Sequence, residues 1–395
     1  MEVGNIMDEQ KKSVLSTMDE FQPLGIIPLK GAAELGEKID RHILAWYERE
    51  NPEELKDSKK TSWIIEAQCP RFSSGDAKAV LPTTVRGTDL YLIIDVGNYN
   101  CTYKMFGQTV PMSPDDHYSD LKRVISAISG KAERLTVIMP ILYGGRQHKR
   151  SARESLDCAV ALQELENMGV KNIITFDAHD PRVQNACPLM GIDNAMPTYQ
   201  VLKALLRNVH DLKIDKDHLM VVSPDEGAMN RNMYYSSVLG TDLGMFYKRR
   251  DYSVIINGRN PIVAHEYLGS SVKDKDVLVA DDIIASGDSM LTLAKHLKEE
   301  GAKRIFMTAT YGLFTEGVDR FQKAYEDGLL DGILTTNLTY RSPELLNAPW
   351  YIEVDMSKYI AYFILAFHQN KSITQLLDPH KKIQDLLDRY RAEHE

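Results

Sequence analysis

The chain has 395 residues, and its 47 lysines and arginines against 56 aspartates and glutamates give a formal net charge of −9. A protein this acidic lacks the overall basic field of a general nucleic-acid binder or of a protein that adsorbs to anionic membranes. Its 43% hydrophobic and 26% charged residues are ordinary for a folded protein with two or three domains. Any phosphate that it binds must therefore be held by local groups.

The cysteine spacing and the apolar stretches point to an ordinary intracellular protein. The four cysteines are scattered without a C-x-x-C spacing, so we expect neither a disulfide framework nor a zinc knuckle. The longest strongly apolar stretch, about 359–367, is too short to span a bilayer. The first residues are polar and lack the apolar core of a signal peptide. We therefore expect a cytoplasmic protein that binds neither nucleic acid nor membranes.

Short β-branched runs alternate with amphipathic stretches along the chain. Strands are predicted, in chain order, at Leu90–Val96, Leu135–Met139, Asn172–Phe176, Leu219–Ser223, Val277–Ala280 and Arg304–Thr310. Helices are predicted at 154–168, 228–239 and 291–300. This alternation indicates βαβ units and mainly parallel sheets that are flanked by helices, so the predicted fold class is α/β.

The number of βαβ units predicts two α/β domains in tandem. Pro188, Gly191 and Pro197 favour a boundary near 190–200, because prolines and glycines interrupt regular structure. We expect four segments: an N-terminal extension over 1–24, an N-terminal domain over 25–195, a C-terminal domain over 196–350 and a C-terminal helical segment over 351–395.

The strongest chemical signal follows the predicted strand VLVA and reads DDIIASGDS, from Asp281 to Ser289. Its small residues allow backbone N–H groups to converge at a helix N-terminus, where the helix dipole favours an anion. The acids Asp281 and Asp282 cannot contact a phosphate, so they should face hydroxyl groups or a cation. A sugar phosphate satisfies both halves. A simple capped helix would explain Ser286 and Gly287, but not two adjacent acids at the end of a buried strand.

This loop resembles the phosphoribosyl-binding loop of phosphoribosyltransferases and of ribose-phosphate diphosphokinases (PRPP synthetases). Other segments, in family order from about residue 60 to 375, favour the synthetases. They are 72–76 (FSSGD, for F-S-N-Q-E), 84–89 (TVRGTD, for V-R-G-x-D), 145–150 (GRQHKR, for A-R-Q-D-K-K), 177–179 (DAH, for D-L-H) and 223–231 (SPDEGAMNR, for S-P-D-x-G-x-x-x-R).

The resemblance implies two phosphoribosyltransferase-like domains with the active site between them. The implied enzyme is a ribose-phosphate diphosphokinase, a transferase of nucleotide biosynthesis. It would transfer the β,γ-diphosphoryl group of ATP to the C1 hydroxyl of ribose 5-phosphate and so form PRPP and AMP. The implied cofactor is Mg²⁺. The family's phenylalanine segment reaches the nucleotide of a neighbouring subunit, which implies a homo-oligomer based on dimers, with a hexamer as one form.

The resemblance also assigns individual roles. The catalytic Lys-x-Arg maps to Lys248 and Arg250, although the residues alone favour a solvated basic face here. The ATP-binding positions are Phe72, Asp76, Arg146, Gln147 and Lys149. The ribose 5-phosphate positions are Asp281, Asp282, Ser286, Gly287, Asp288 and Ser289. The metal-binding positions are His179 and Asp225, although Mg²⁺ by itself prefers oxygen ligands.

Several positions depart from the family pattern. Gly75 stands where F-S-N-Q-E has an amide, and His148 replaces the acid of R-Q-D. Asp288 replaces the second glycine of the phosphate loop and must point away from the phosphate or affect it, because like charges ~4 Å apart repel by ~1–4 kcal/mol. The stretch 98–116, predicted to be a long surface excursion, has no family counterpart.

The sequence leaves two other functions open. One is a phosphoribosyltransferase that consumes PRPP, and the other is a non-catalytic, regulatory relative of the synthetase. The first is disfavoured by the Lys-x-Arg segment and by the tandem length, and the second by the retention of Lys248, Arg250 and His179. No G-x-x-x-x-G-K-[ST] or G-x-G-x-x-G pattern is present, which disfavours a P-loop kinase and a Rossmann dehydrogenase.

Overall fold

The structure is a computed structural model that describes residues 23–50, 61–150, 152–250 and 262–394. The chain divides into two compact units. Among the described residues, unit 1 contains those up to Met196 together with 337–340 and 355–378, and unit 2 contains the others. The predicted N-terminal extension lies outside the described residues, apart from its last two positions.

Unit 1 is built on a five-stranded, fully parallel sheet of order β1-β2-β5-β6-β7. Its strands are β1 (Leu24–Pro28), β2 (Asp89–Ile93), β5 (Arg134–Ile138), β6 (Asn172–Phe176) and β7 (Gly191–Ala195). Its helices are α1 (Ala33–Glu50), α2 (Pro114–Ile128), α3 (Asp157–Asn167), α9 (Ser357–His368) and α10 (Thr374–Leu377), with short 3₁₀ helices at Lys30–Ala32 and Pro181–Ala186.

The stretch 98–116 of unit 1 is more ordered than the sequence pattern suggests. It forms an antiparallel hairpin of β3 (Thr102–Met105) and β4 (Gln108–Pro111). The stretch ends in a capping box, in which Ser113 accepts a hydrogen bond from the backbone of Asp116 and Asp116 accepts one from the backbone of Ser113. Capping of this kind satisfies the N–H groups that a helix start leaves unpaired.

A buried polar network anchors helix α9 to the sheet of unit 1. Asp89, at the start of β2, has no exposed surface. It accepts hydrogen bonds from Arg134 Nε at 2.8 Å, from the Tyr91 hydroxyl at 2.9 Å and from His368 Nδ1 at 2.8 Å. A buried carboxylate needs such partners, because an unpaired one costs several kcal/mol. Asp89, the aspartate of the V-R-G-x-D turn, therefore has a structural role in the interior of unit 1.

Unit 2 is built on a seven-stranded sheet of order β10-β9-β8-β11-β12-β13-β14, in which only β9 and β10 pair antiparallel. Its strands are β8 (Leu219–Ser223), β9 (Asp242–Arg250), β10 (Ile262–Leu268), β11 (Asp276–Ile284), β12 (Arg304–Gly312), β13 (Gly332–Thr336) and β14 (Tyr351–Val354). Its helices are α4 (Thr198–Asn208), α5 (Met229–Leu239), α6 (Asp288–Glu299), α7 (Asp319–Glu326), α8 (Pro343–Leu346) and α11 (His380–His394).

The predicted strands all occur, but other strands of the structure were not predicted. Besides the β3–β4 hairpin and β10, they include β1, β7, β13 and β14, which span four or five residues each. β7 reads GIDNA, and only its last residue is buried, so it lacks the apolar signal of a central strand. The tail 351–395, predicted to be helical, begins with strand β14 and is divided between both units.

Candidate active site

The carboxyl ends of adjacent parallel strands bring the chemical segments of unit 2 together. β8 and β11 are direct neighbours, and β9 pairs with β8 on its other side. The S-P-D loop follows β8, Lys248 and Arg250 end β9, and the acid pair with its small-residue loop ends β11. Ligands of open parallel sheets bind beyond this edge. The predicted residues of unit 2 therefore converge on one edge.

The small-residue loop turns sharply into helix α6. Gly287 is the N-cap of α6 and has φ 88°, a conformation that favours glycine. A Cβ atom placed on Gly287 would lie 2.1 Å from Cζ of Phe321. Phe321 has no exposed surface and packs against Phe314 and Trp350, with ring centroids 5.0 and 5.7 Å away. Phe321, Phe314 and Trp350 thus form an aromatic cluster that packs against the loop at Gly287.

The two acids lie within strand β11, whose ladder with β12 continues to Ile284. The backbone N–H of Asp282 donates to Asp281 Oδ1 at 2.9 Å, and Nη1 of Arg231 lies 3.6 Å from the same oxygen. Asp282 is 8% exposed. Burial and the neighbouring Asp282 carboxylate raise the pKa of Asp281 to about 7, and Arg231 opposes this shift only in part. The Asp281–Asp282 pair therefore keeps a proton to higher pH than an ordinary aspartate does.

This raised pKa makes stability depend on pH. The folded state binds the Asp281 proton up to about pH 7, whereas an unfolded aspartate releases it near pH 4. Stability should therefore fall as pH rises between these values, and Asp281→Asn should remove a penalty on the order of 2–4 kcal/mol above pH 7. We expect the melting temperature of Asp281→Asn to exceed that of the wild type more at pH 8 than at pH 5. Equal differences at both pH values, as expected for the exposed control Asp217→Asn, would contradict this assignment.

Asp288 has a positively charged partner. Its Oδ1 accepts from Nη2 of Arg320 at 2.5 Å, and its Oδ2 accepts from the Ser286 hydroxyl at 3.0 Å. The hydrogen bonds from Arg320 and then Ser286 hold the pKa of Asp288 below its usual value. Its carboxylate is therefore charged at neutral pH. It also accepts the hydrogen bond that the Ser286 hydroxyl of the predicted phosphate loop can donate. The pairing with Arg320 offsets the negative charge that Asp288 places close to the predicted phosphate position.

Asp225 lies in a tight loop after β8. Its Oδ1 accepts from the backbone N–H of Ala228 at 3.2 Å, and its carbonyl accepts from the Ser223 hydroxyl at 2.8 Å. The fully buried Asn232, which sequence reasoning missed, ties this loop to β11. Its amide donates to the Ala280 carbonyl at 2.7 Å and its oxygen accepts from the Ala280 N–H at 3.1 Å. Asn232 therefore fixes the spacing of the two strand ends.

Lys248 and Arg250 occupy the last positions of β9, and the structure describes their backbone only. Lys248 pairs with His265 of β10, and Arg250 pairs with Ile262. The β8 ladder stops at Met245, so the basic end of β9 continues past the edge of β8 as one arm of a β-ribbon. The segment 251–261 lies outside the described residues.

In unit 1, the FSSGD segment forms a tight turn. The Phe72 N–H donates to the Asp76 carbonyl at 2.7 Å, and the Ser74 hydroxyl donates to Asp76 Oδ2 at 2.8 Å. Gly75 has φ +97°, which explains why an amide side chain is absent there. The turn contacts the β3–β4 hairpin, where Phe106 N–H donates to the Ser73 carbonyl. Phe72 is 54% exposed, so its ring is accessible to a ligand or to another chain.

The GRQHKR segment follows β5, and the DAH segment follows the neighbouring strand β6. Arg146 and Lys149 are exposed, whereas the Gln147 amide donates to the Ser155 carbonyl at 3.0 Å and so braces its own loop. His179 is also exposed. The preceding Asp177 is buried with φ +44°, a conformation that costs energy in a residue other than glycine. The two segments thus share one edge of the unit 1 sheet.

The described residues contain neither a cluster of metal-binding side chains nor a helix able to span a membrane. Among residues 23–50, 61–150, 152–250 and 262–394, no group of three or more His, Cys, Asp or Glu side chains is arranged to hold a metal ion. Within the described helices, none combines the length and apolar character that crossing a membrane requires. The four cysteines, all inside the described ranges, are free thiols.

Comparison with known families and structures identifies relatives over most of the chain. Residues 24–169 match the N-terminal domain of ribose phosphate pyrophosphokinase, and residues 191–322 match the phosphoribosyl transferase domain. The ribose-phosphate pyrophosphokinase of Vibrio cholerae is 27% identical over 79% of this chain and 91% of its own length. That of Mycoplasma pneumoniae is also 27% identical, over 78% and 87%.

The fold has a solved counterpart. The crystal structure of phosphoribosylpyrophosphate synthetase from Mycobacterium smegmatis superposes with a TM-score of 0.70 at 18% identity, covering 88% of this chain and 100% of that one. The predicted α/β fold with two phosphoribosyltransferase-like domains is confirmed, and so is the predicted enzyme class, a diphosphokinase of the transferase type. The two family matches together span more than half of the chain, which therefore belongs to the ribose-phosphate pyrophosphokinase family.

Proposed function

We propose that this chain transfers the β,γ-diphosphoryl group of ATP to the C1 hydroxyl of ribose 5-phosphate, giving PRPP and AMP. The observation that carries the proposal is the edge of the unit 2 sheet. There an acid pair, a small-residue loop at a helix N-terminus and an S-P-D loop lie on neighbouring parallel strands. Family membership supplies the reaction class. The domain assignments of 25–195 to ATP and 196–350 to ribose 5-phosphate belong to the same proposal.

The β11 loop is assigned to the sugar phosphate. The N–H groups at the start of α6 and the hydroxyl of Ser289 are suited to the 5-phosphate, whereas the hydroxyl of Ser286 can donate to it only after releasing Asp288. Asp281 and Asp282 are suited to accept hydrogen bonds from ribose hydroxyls. Since an ionised Asp281 accepts stronger hydrogen bonds from hydroxyl groups than a protonated one, its raised pKa predicts weaker sugar binding below neutral pH.

The ATP-binding residues are assigned to unit 1. The exposed ring of Phe72 offers a face on which adenine can stack, and Asp76 can accept from an adenine amino group. The exposed cations Arg146 and Lys149 can neutralise phosphates. The Gln147 side chain donates a hydrogen bond within its own loop, so we assign it to positioning Arg146 and Lys149. Its role in ATP binding, which the family resemblance implies, stays a prediction.

Asp225 and His179 are the residues assigned to Mg²⁺. Mg²⁺ in phosphoryl-transfer enzymes uses one or two carboxylates with substrate phosphates and keeps several waters. A single carboxylate in a loop held by Ala228 N–H and by Asn232 fits that requirement. When bound, the ion supplies charge neutralisation on the polyphosphate. Asp225 would supply the carboxylate ligand, and Lys248 and Arg250 are assigned to neutralising charge on the transferred group.

We also propose that the protein is cytoplasmic and forms a homo-oligomer based on dimers. Four free thiols suit a reducing compartment. The FSSGD turn and its hairpin expose Phe72 at 54% and Phe106 at 79%, and grouped exposed rings are typical of an interaction surface. Light scattering after size exclusion should give a mass that is an even multiple of 44.8 kDa, and a monomer at micromolar concentration would contradict the proposal.

Phosphorus NMR tests the activity directly. Purified protein with ATP, ribose 5-phosphate and Mg²⁺ should produce AMP and PRPP in equal amounts. Release of pyrophosphate from added PRPP with a base acceptor would favour a phosphoribosyltransferase instead. Silence from folded protein that still binds ATP would favour the regulatory relative, and Asp288 would then be the first position to change to glycine.

Removal of Arg320 should show how the negative charge of Asp288 affects the binding of ribose 5-phosphate. Arg320→Ala leaves the Asp288 carboxylate unneutralised beside Ser286, so we expect the KM for ribose 5-phosphate to rise several-fold with little change in the KM for ATP. The double variant Asp288→Gly/Arg320→Ala should recover most of the loss, because both charges are then absent. An unchanged KM in Arg320→Ala, or no recovery in the double variant, would show that Arg320 does not compensate Asp288. Arg389→Ala, in α11, is the control for loss of an exposed arginine.

A further inference from the structure

A two-residue turn closes the β3–β4 hairpin with a residue type that such turns disfavour. Met105 of β3 pairs with Gln108 of β4, so Phe106 and Gly107 form the whole turn. Their φ angles are +47° and +78°, and a two-residue hairpin turn in which both residues have positive φ favours Asn-Gly or Asp-Gly. For a bulky residue such as phenylalanine this conformation is an outlier. Phe106 therefore makes the turn less stable than an asparagine would.

Burial does not explain the phenylalanine at this position. Phe106 is 79% exposed, so most of its ring stays in water and adds little to the stability of unit 1. Residues that are held in unfavourable backbone conformations are concentrated at active sites and ligand-binding sites. The combination of backbone strain and exposure therefore points to a binding role for the ring.

The tip of the hairpin lies directly against the FSSGD turn, which is assigned to ATP. The Phe106 N–H donates to the Ser73 carbonyl at 2.8 Å. A Cβ atom on Gly75 would lie 2.7 Å from Met105 Sδ, so Met105 occupies the space that a side chain at position 75 would need. The F-S-N-Q-E pattern has an amide at that position, and the hairpin belongs to the stretch without a family counterpart. This protein thus has an apolar side chain of the hairpin where the family pattern has an amide.

Contacts with the rest of unit 1 hold the hairpin in place. The guanidinium of Arg71 lies over the ring of Tyr103 in β3, 5.0 Å from the ring centroid. Arg71 is itself fixed by hydrogen bonds of 2.7 and 2.9 Å to the buried carboxylate of Asp120 in α2. Lys30 Nζ donates to the Thr102 carbonyl at 2.8 Å. The tip therefore presents its ring at a defined position beside the FSSGD turn, and a ring that is positioned before binding loses little conformational entropy on contact with a ligand.

We infer that Phe106 stacks on the base of the nucleotide that the FSSGD turn binds, as a second aromatic contact beside Phe72. The inference rests on the proposed function and deepens it, because it names the part of the nucleotide that the hairpin contacts. Phe72 is 54% exposed, so both rings are accessible, and a base has two faces on which a ring can stack. Phe106 thus binds the base and takes no part in the transfer of the diphosphoryl group.

The variant Phe106→Asn separates this role from folding, and calorimetric titration of the full-length protein with ATP and Mg²⁺ measures it. Asparagine is favoured in the turn, so the melting temperature of the variant should equal or exceed that of the wild type. Its dissociation constant for ATP should nevertheless rise between about fivefold and about 150-fold, which corresponds to the loss of one base–aromatic stack. Affinity for inorganic tripolyphosphate, which has no base, should stay the same. Phe106→Tyr, which keeps a ring, should bind ATP as the wild type does.

Ser129→Asn is the matched control, because Ser129 also has a positive φ, of 55°, and lies at the other end of α2. It should gain stability without a change in ATP affinity. Equal ATP affinity of the wild type and Phe106→Asn overturns the inference, and so does an equal loss of tripolyphosphate affinity, which would place the effect at the phosphates. A lower mass of Phe106→Asn in light scattering overturns it as well, because the ring would then be a contact between subunits. Absence of ATP binding by the wild type overturns the inference together with the assignment of ATP to the FSSGD turn, whereas phosphorus NMR tests the transfer reaction separately.

Discussion

Gly287→Ala is expected to lower kcat/KM for ribose 5-phosphate about 100-fold, because displacement of a binding loop by about 1 Å has effects of this size. The new methyl group would meet Phe321 at 2.1 Å in a residue with φ 88°. A left-handed conformation costs a non-glycine residue about 1–2 kcal/mol, and overpacking of a well-packed core adds about 1–3 kcal/mol. Phe321 cannot withdraw easily, since Phe314 and Trp350 hold it. Steady-state kinetics and scanning calorimetry measure both effects.

Gly328→Ala is the matched control for this prediction. Gly328 has a similar φ of +71°, but a Cβ atom there meets nothing within 4 Å. It should therefore show the conformational cost alone and keep its KM for ribose 5-phosphate. If Gly287→Ala and Gly328→Ala lose equal stability and keep equal KM values, the aromatic cluster does not support the loop. A loss confined to ribose 5-phosphate, with the KM for ATP preserved, would locate the sugar phosphate at this loop.

Lys248→Ala is expected to reduce kcat about 100-fold or more, with a change in the dissociation constant of ATP within about twofold. A cation that stabilises charge developing on the transferred group acts in the transition state, and its loss therefore lowers turnover more than ground-state binding. Rapid-quench measurement of AMP formation and calorimetric titration of ATP separate the two quantities.

Arg249→Ala serves as the control for Lys248→Ala. Alternate positions of a strand share a face, so position 249 of β9 is out of phase with 248 and 250. We expect Arg249→Ala to retain most of its turnover and Arg250→Ala to resemble Lys248→Ala. Near-normal turnover in Lys248→Ala would remove the catalytic assignment of β9, and equal losses in all three variants would indicate a general effect of net charge.

The departures from the family pattern acquire partners in the structure. Asp288 is paired with Arg320, Gly75 permits a turn with φ +97°, and His148 lies beside Asp180 and His179. Asp288 and His148 are thus each matched by a residue that is distant in sequence, and Gly75 is matched by the geometry of its turn. This pattern favours an active enzyme with an altered site. It disfavours a pseudoenzyme that has lost its site.

Much of the architecture was predictable from local signals. The runs 172–176 and 219–223 became β6 and β8 with the predicted bounds, because apolar, β-branched runs that end in turn residues depend on short-range preferences. The N-terminus of α6 was also recognisable, since small residues and an acid follow a strand within a few positions. Local signals could not show that Asp281 and Asp282 lie inside β11, because the ladder continues only through pairing with β12.

The partners of these residues depend on the tertiary structure. Phe321 lies beneath Gly287, Arg320 lies beside Asp288, and Asn232 ties the β8 loop to Ala280, 48 residues further along the chain. Such contacts follow from strand order and register, which the packing of each whole core decides. His148 and His179 meet for the same reason, because β5 and β6 are neighbours in the sheet. The residue types that perform the chemistry can be read from the sequence. Their protonation states, orientations and partners, in contrast, depend on the folded sheets.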